Sequence, residues 1–146
     1  MASKVNMEKI AHYAFMAFVL IAIIAGLVIG AWAYSVQNTF YSYPYTFNSA
    51  NVGNGVANAN SYILLIMLIL GIIVGLVSVT AKEVQPFLIA TIALVVASLS
   101  NVWGSLATIH NILPYWATAI LNYVVAFVAP AAVLLAIKAV FALERK

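Results

Sequence analysis

The sequence has no cysteine, no aspartate and very little charge of either sign. Its 146 residues include six Lys or Arg and three acidic residues, all of them Glu. Without cysteine the chain cannot form disulfides, iron–sulfur clusters or thiolate zinc sites, and it offers no cysteine nucleophile. Six basic residues are too few for the basic face that a nucleic-acid-binding protein needs.

Apolar residues dominate the rest of the composition. The chain is 66% hydrophobic and 6% charged, whereas soluble domains carry about 25% charged residues. Such a sequence cannot cover the surface of a soluble globule. It therefore predicts an integral membrane protein whose first partner is the lipid bilayer.

The apolar residues fall into runs of spanning length. Three runs each meet the requirement of roughly 20 residues for a helix that crosses a bilayer core of about 30 Å. A fourth begins at Pro86, turns mildly polar at Ser98, Ser100 and Asn101, and reaches spanning length only when continued through Leu106. We predict an all-α, four-transmembrane-helix bundle that forms one membrane domain, 1–146, with spans at about 11–34, 61–79, 86–107 and 115–140.

The distribution of charge predicts the orientation. The charges lie before the first span, between the second and third, and at the end of the fourth: Lys4, Glu8, Lys9, Lys82, Glu83, Lys138, Glu144, Arg145 and Lys146. Four crossings place these groups on one side, and their basic excess predicts that this side is cytoplasmic. We expect a multi-pass protein of the cell membrane with both termini cytoplasmic, a cytoplasmic hairpin at 80–85 and an uncharged outer loop at 35–60.

The first span also has features of a signal peptide. Ala31-Trp32-Ala33 resembles a small-x-small cleavage site behind a basic start. The apolar run is longer than the usual 7–15-residue core of a signal peptide, and a retained helix is the favoured interpretation.

Small residues mark the faces on which the spans pack. In lipid, close backbone approach over small side chains drives helix association. Gly26 and Gly30 lie four residues apart in the first span, as do Gly71 and Gly75 in the second. These faces predict helix contacts, either within one bundle or between copies. Pro130 lies mid-span and predicts a kink, which is a hinge in some transporters and a plain bend in many bundles.

The outer loop is unusual in composition. Its first half is an aromatic segment with Tyr41, Tyr43, Tyr45 and Phe47, and its second half is rich in Asn. Such rings are typical either of the aromatic belt at a membrane surface or of a contact interface. We predict an interface with another copy or an outer partner, since the loop offers no charge.

Groups that support catalysis or ion transport are scarce inside the spans. Lys138 is the deepest charge, and it is close enough to the cytoplasmic end to snorkel. His12 and His110 lie at opposite membrane edges, about 30 Å apart, so they cannot share one haem within a chain. We predict no catalytic residues, no cofactor and no metal. A small polar cluster in the outer leaflet is expected from Ser98, Ser100, Asn101, Thr118 and Asn122.

Two stretches carry a resemblance to known proteins. Residues 79–97 (VTAKEVQPFLIATIALVVA) and 123–143 (YVVAFVAPAAVLLAIKAVFAL) resemble small, very hydrophobic archaeal integral-membrane proteins of unassigned function. The likeness rests on Thr-x-Lys-Glu before Pro-Phe-Leu, and on Ala-Phe-Val-Ala-Pro-Ala-Ala before a late Lys. It implies an archaeal four-helix membrane protein and no defined activity. In composition and helical hairpins the chain is also similar to hydrophobic coat proteins of archaeal spindle-shaped viruses.

By elimination, the sequence favours a non-enzymatic structural membrane protein. We expect it to self-associate laterally as a homo-oligomer, through its apolar helix faces and its aromatic and Asn-rich outer loop. Two alternatives stay open. One is an accessory subunit of a larger membrane enzyme complex, in contact with other membrane subunits. The other is a small channel or transporter that uses Pro130 and the region of Asn101 and Asn122.

Overall fold

The computed structural model of the chain describes residues 2–36, 49–77 and 84–144, and all regular structure in these ranges is helical. The all-α prediction is confirmed. The elements are α1 (Ala2–Val36), α2 (Ser49–Val77), α3 (Val84–Leu99), a 3₁₀ helix (Asn101–Thr108) and α4 (Leu113–Glu144).

Three of these helices are long and apolar enough to cross a membrane: Phe15–Val36, Gly53–Leu76 and Leu113–Phe141. Helix α3 has 16 residues, or about 24 Å, which is too short alone. With the 3₁₀ helix it forms a fourth candidate span, bent by 55°. The predicted span 86–107 is therefore a broken helix. The break falls among the polar residues near Ser100, and the Ser98 hydroxyl donates to the Val95 carbonyl at 2.8 Å, a bond typical of bent helices.

Helix α2 begins earlier than the sequence predicts. It starts at Ser49, so the Asn-rich half of the predicted outer loop is helical. Asn and Gly form helices poorly on their own, but Val56, Ala57 and Asn60 are buried against the rest of the molecule, and this packing outweighs propensity. At Gly53 the backbone departs from the helix with φ 76° and ψ 161°, a conformation that needs glycine.

Other boundaries differ less. Helices α1 and α4 contain the predicted spans 11–34 and 115–140 and extend beyond them. Helix α3 already begins within the predicted hairpin, at Val84, and Pro86 lies in its first turn, where a proline is tolerated. The aromatic segment Tyr41, Tyr43, Tyr45 and Phe47 lies outside the described residues.

Helix α4 lies at the centre of the bundle. It contacts α1, α2, α3 and the 3₁₀ helix, and α1 and α2 also contact each other. Its fully buried side chains lie in the core and include Tyr123, Phe127, Val128 and Leu135. Helix α3 packs on α4 and also reaches α1 through one ring contact, between Phe87 and Phe15.

Ring contacts show how the helices are oriented. Phe87, near the start of α3, meets Phe15 near the start of the apolar part of α1, with ring centroids 6.2 Å apart. His110, just after the 3₁₀ helix, meets Tyr34 near the end of α1. The bent pair therefore runs the length of the bundle. We call the end that holds the starts of α1 and α3 the basal end, and the opposite one the apical end.

Candidate functional site

Helix α1 packs on α4 through its two glycines. A Cβ atom added at Gly26 would lie 2.7 Å from the Ile120 Cα, and one at Gly30 would lie 3.0 Å from the Tyr115 carbonyl oxygen. Any larger residue would push the helices apart. Because Gly26 faces Ile120 while Gly30 faces Trp116, α1 is antiparallel to α4.

Helix α2 packs on α4 in the same manner. A Cβ atom at Gly71 would collide with the Phe127 carbonyl oxygen, and one at Gly75 would lie 2.7 Å from the Ala131 Cα. The missing side chains let the two backbones touch, as in other membrane helix pairs. The order of these contacts makes α2 parallel to α4, so both helices end at the basal end.

The sequence left open whether the glycine faces make contacts within one bundle or between copies. In the structure Gly26, Gly30, Gly71 and Gly75 are all buried against α4 of the same chain. A helix tethered in the same chain has a high effective concentration and takes such a face before a free copy can. These four glycines are therefore not available for contacts with a second copy.

Pro130 takes part in the same packing. Helix α4 continues through it as one element, and its ring lies close to Gly71, with its Cγ 2.8 Å from the position of an added Cβ. Proline removes the donor that the Ala126 carbonyl would otherwise have. Helix α2 lies against α4 beside this position, so the opened backbone is close to a packed surface.

A buried hydrogen bond joins α2 and α4. The Tyr123 hydroxyl donates to the Asn60 side-chain oxygen at 2.8 Å, and both residues are buried. Buried polar groups in a membrane protein need such partners because lipid offers none. The sequence interpretation missed Asn60, which it placed in the outer loop.

Lys138 holds the basal end of α2. Its ammonium group donates to the carbonyl oxygens of Gly75 at 2.9 Å and Leu76 at 2.7 Å. These carbonyls lie in the last turn of α2 and have no donor within the helix. The cation also complements the negative end of the helix dipole. Lys138 thus links two helices, beyond the snorkelling role predicted for it.

The predicted polar cluster in the outer leaflet does not form a hydrogen-bonded group among the described residues. Ser98 bonds within its own helix, and Asn101 is exposed at the start of the 3₁₀ helix. A hydrogen bond instead links the two sides of the bend: the Trp103 indole N–H of the 3₁₀ helix donates to the Ala97 carbonyl of α3 at 2.7 Å. Asn122 and Thr118 are half-buried.

The apical end carries an aromatic group around His110. The Tyr34 ring lies 6.3 Å from the His110 ring and 5.9 Å from the Tyr115 ring, centroid to centroid. The His110 Nδ1 accepts the Ile112 N–H at 3.3 Å, close to the start of α4. In the described part of the chain, no three His, Cys, Asp or Glu side chains come together as a metal site.

The outward surface of α1, α2 and α3 is apolar over most of its length. Large exposed side chains on these helices include Leu20, Ile24, Val28, Leu65, Ile69, Ile73, Ile89, Ile92 and Val96. Helix α3 has a single buried residue, Thr91. Such a surface is compatible with contact to lipid or to other membrane helices.

Comparisons with known proteins identify no relative. No protein-family model, no curated protein and no solved structure matches the chain. The resemblance to small archaeal membrane proteins stays a prediction.

Proposed function

We propose that the chain is a non-enzymatic structural membrane protein whose copies associate laterally in the bilayer. The proposal rests on one observation: the close interior contacts of the bundle join α4 to other helices of the same chain. The glycine faces, the Asn60–Tyr123 bond and the Lys138 contacts all have partners within the chain. The broad apolar exterior of α1, α2 and α3 is not used by these contacts, and we propose that it binds other copies.

The proposed location is the cell membrane, with both termini cytoplasmic. The basal end holds the starts of α1 and α3 and the ends of α2 and α4. These are the helix ends that carry or adjoin all nine charged residues of the sequence. Their basic excess favours the cytoplasmic side for the basal end.

The proposed mechanism is van der Waals packing of one apolar exterior on another. In lipid this packing needs close fit, because Leu and Ile gain nothing by leaving an equally apolar solvent. The aromatic segment Tyr41, Tyr43, Tyr45 and Phe47 would add contacts on the outer face. It carries no charge, so copies that meet there do not repel one another.

Native mass spectrometry from lipid nanodiscs and mild detergent tests the proposal. We expect complexes at multiples of the 15.7 kDa chain mass that persist as the protein is diluted. A monomer at every concentration would overturn the proposal. A complex with a stoichiometric partner of different sequence would also overturn it, in favour of the accessory-subunit alternative.

A further inference from the structure

One exposed stripe of α2 combines apolar residues with amides. Its members recur at spacings of four, three, four, three and four residues, and each is exposed: Asn54, Asn58, Ser61, Leu65, Leu68 and Ile72. This is the alternation of a coiled-coil seam, in which the same side of a helix meets a partner helix along its length. The stripe borders the face that packs on α4, because its next position at this spacing is Gly75, which is buried against α4.

In the proposed orientation, Asn58 falls within the hydrocarbon thickness at the depth of the outer leaflet. It precedes Leu76 by 18 residues, a rise of about 27 Å along the helix. Lys138 marks the basal edge through its bond to the Leu76 carbonyl, and the hydrocarbon core is about 30 Å thick. Any tilt of α2 places Asn58 deeper still.

The Asn58 amide needs a partner at this depth. Asn60, two residues on, is turned inward and bonds to Tyr123. Asn58 is exposed on the other side of the helix, and the residues that the structure describes give it no hydrogen-bond partner. An amide in hydrocarbon without a partner is costly, and Asn side chains that bond across helices are a recurrent means of association in membranes.

A second copy of the chain supplies that partner by symmetry. Two copies inserted with the same orientation have parallel α2 helices, so Asn58 of each copy lies at the same depth. A side-chain amide is self-complementary, because its N–H₂ group donates and its oxygen accepts. A single Asn in an apolar seam also fixes the register of the two helices.

We propose that two copies dock through this stripe of α2, helix against parallel helix, with their Asn58 amides hydrogen-bonded across a two-fold axis. This inference rests on the proposed self-association and names its contact surface. With this surface, copies can associate even though the glycine faces are already packed on α4 of the same chain.

Cysteine cross-linking in liposomes tests the surface, because the natural chain has no cysteine. Leu65→Cys lies on the stripe and Ile66→Cys beside it, and both native side chains are 54% exposed at nearly the same depth. With a lipid-soluble oxidant, we expect Leu65→Cys to form a disulfide-linked dimer in much higher yield than Ile66→Cys. Equal yields would show random collision and overturn the proposal.

Substitution of Asn58 tests the amide contact. In the Leu65→Cys background, Asn58→Leu should weaken dimerisation by about threefold or more, while Asn58→Gln should retain it. An unchanged yield with Asn58→Leu would overturn the amide contact and show that the amide meets headgroup water. Cross-linking only from Ile92→Cys on α3 would overturn this surface and leave self-association standing. No cross-link anywhere, together with a monomer by native mass spectrometry, would overturn both.

Discussion

The Tyr123 hydroxyl donates a hydrogen bond to the side-chain oxygen of Asn60 across 2.8 Å, inside the bundle and between α2 and α4. The two residues are 63 positions apart in the sequence. Their bond fixes the height of α2 on α4 at the apical side, as the Lys138 contacts fix it at the basal side.

A double-mutant cycle measures this bond. Tyr123→Phe removes the donor and Asn60→Ala removes the acceptor, and each single change should destabilise the bundle. The coupling between them should be about 0.6 kcal/mol, and at most about 2 kcal/mol, as for other membrane hydrogen bonds. Unfolding in SDS followed by circular dichroism gives the four stabilities. Strictly additive effects would show that the bond contributes nothing.

Lys138→Met should loosen the last turn of α2. The variant keeps the aliphatic stem and loses the donors to the Gly75 and Leu76 carbonyls. A cation at a helix C-terminus contributes about 0.3–1 kcal/mol. We expect faster amide hydrogen exchange in the basal turn of α2, with most of the protection kept by Lys138→Arg. Exchange identical to that of the natural chain would contradict this role.

Two glycines of α2, Gly71 and Gly55, provide a test position and its control. A Cβ at Gly71 collides with the Phe127 carbonyl and crowds the Pro130 ring, whereas one at Gly55 would make only an ordinary contact with Trp32 at 3.8 Å. Gly71→Ala should therefore destabilise the bundle by about 1–3 kcal/mol. Gly55→Ala should be neutral, or stabilising by up to about 1 kcal/mol, through its higher helix propensity. Equal effects on SDS unfolding would contradict the packing.

The proposed orientation can be read from thiol labelling. Since the chain has no cysteine, single variants report one site each. A membrane-impermeant maleimide should label Ser42→Cys in intact cells and should label Ser3→Cys only after the membrane is permeabilised. Positive charge favours the cytoplasmic side, which is the physical reason for this expectation. The reverse pattern would show that the basal end faces outward.

Much of the fold could be predicted from the sequence, because uninterrupted apolar runs of spanning length have few other interpretations. The start of α2 could not, since Asn and Gly favour loops and only the burial of Val56, Ala57 and Asn60 makes the segment helical. One signal was present. Counting back from Gly71 by four, seven and four residues gives Met67, Asn60 and Val56, all buried, so the packed face continues into the Asn-rich segment.

The partner of the glycine faces could not be predicted either. A GxxxG pattern indicates that another backbone comes close, but it carries no information on whether that backbone belongs to the same chain. The structure assigns both glycine pairs to α4. The break after α3 was visible in the sequence only as Ser98, Ser100 and Asn101, residues that a continuous helix also tolerates.

The central place of α4 has a consequence for synthesis. It is the last of the four helices to leave the ribosome, yet α1, α2 and α3 all pack on it. Before α4 is made, α1 and α2 can contact only each other among the helices, and α3 can contact α1 through the Phe87 and Phe15 rings. Membrane insertion of the early segments and their assembly are therefore separate events in time. A nascent chain that stops before residue 113 would lack the helix on which Gly26, Gly30, Gly71 and Gly75 pack.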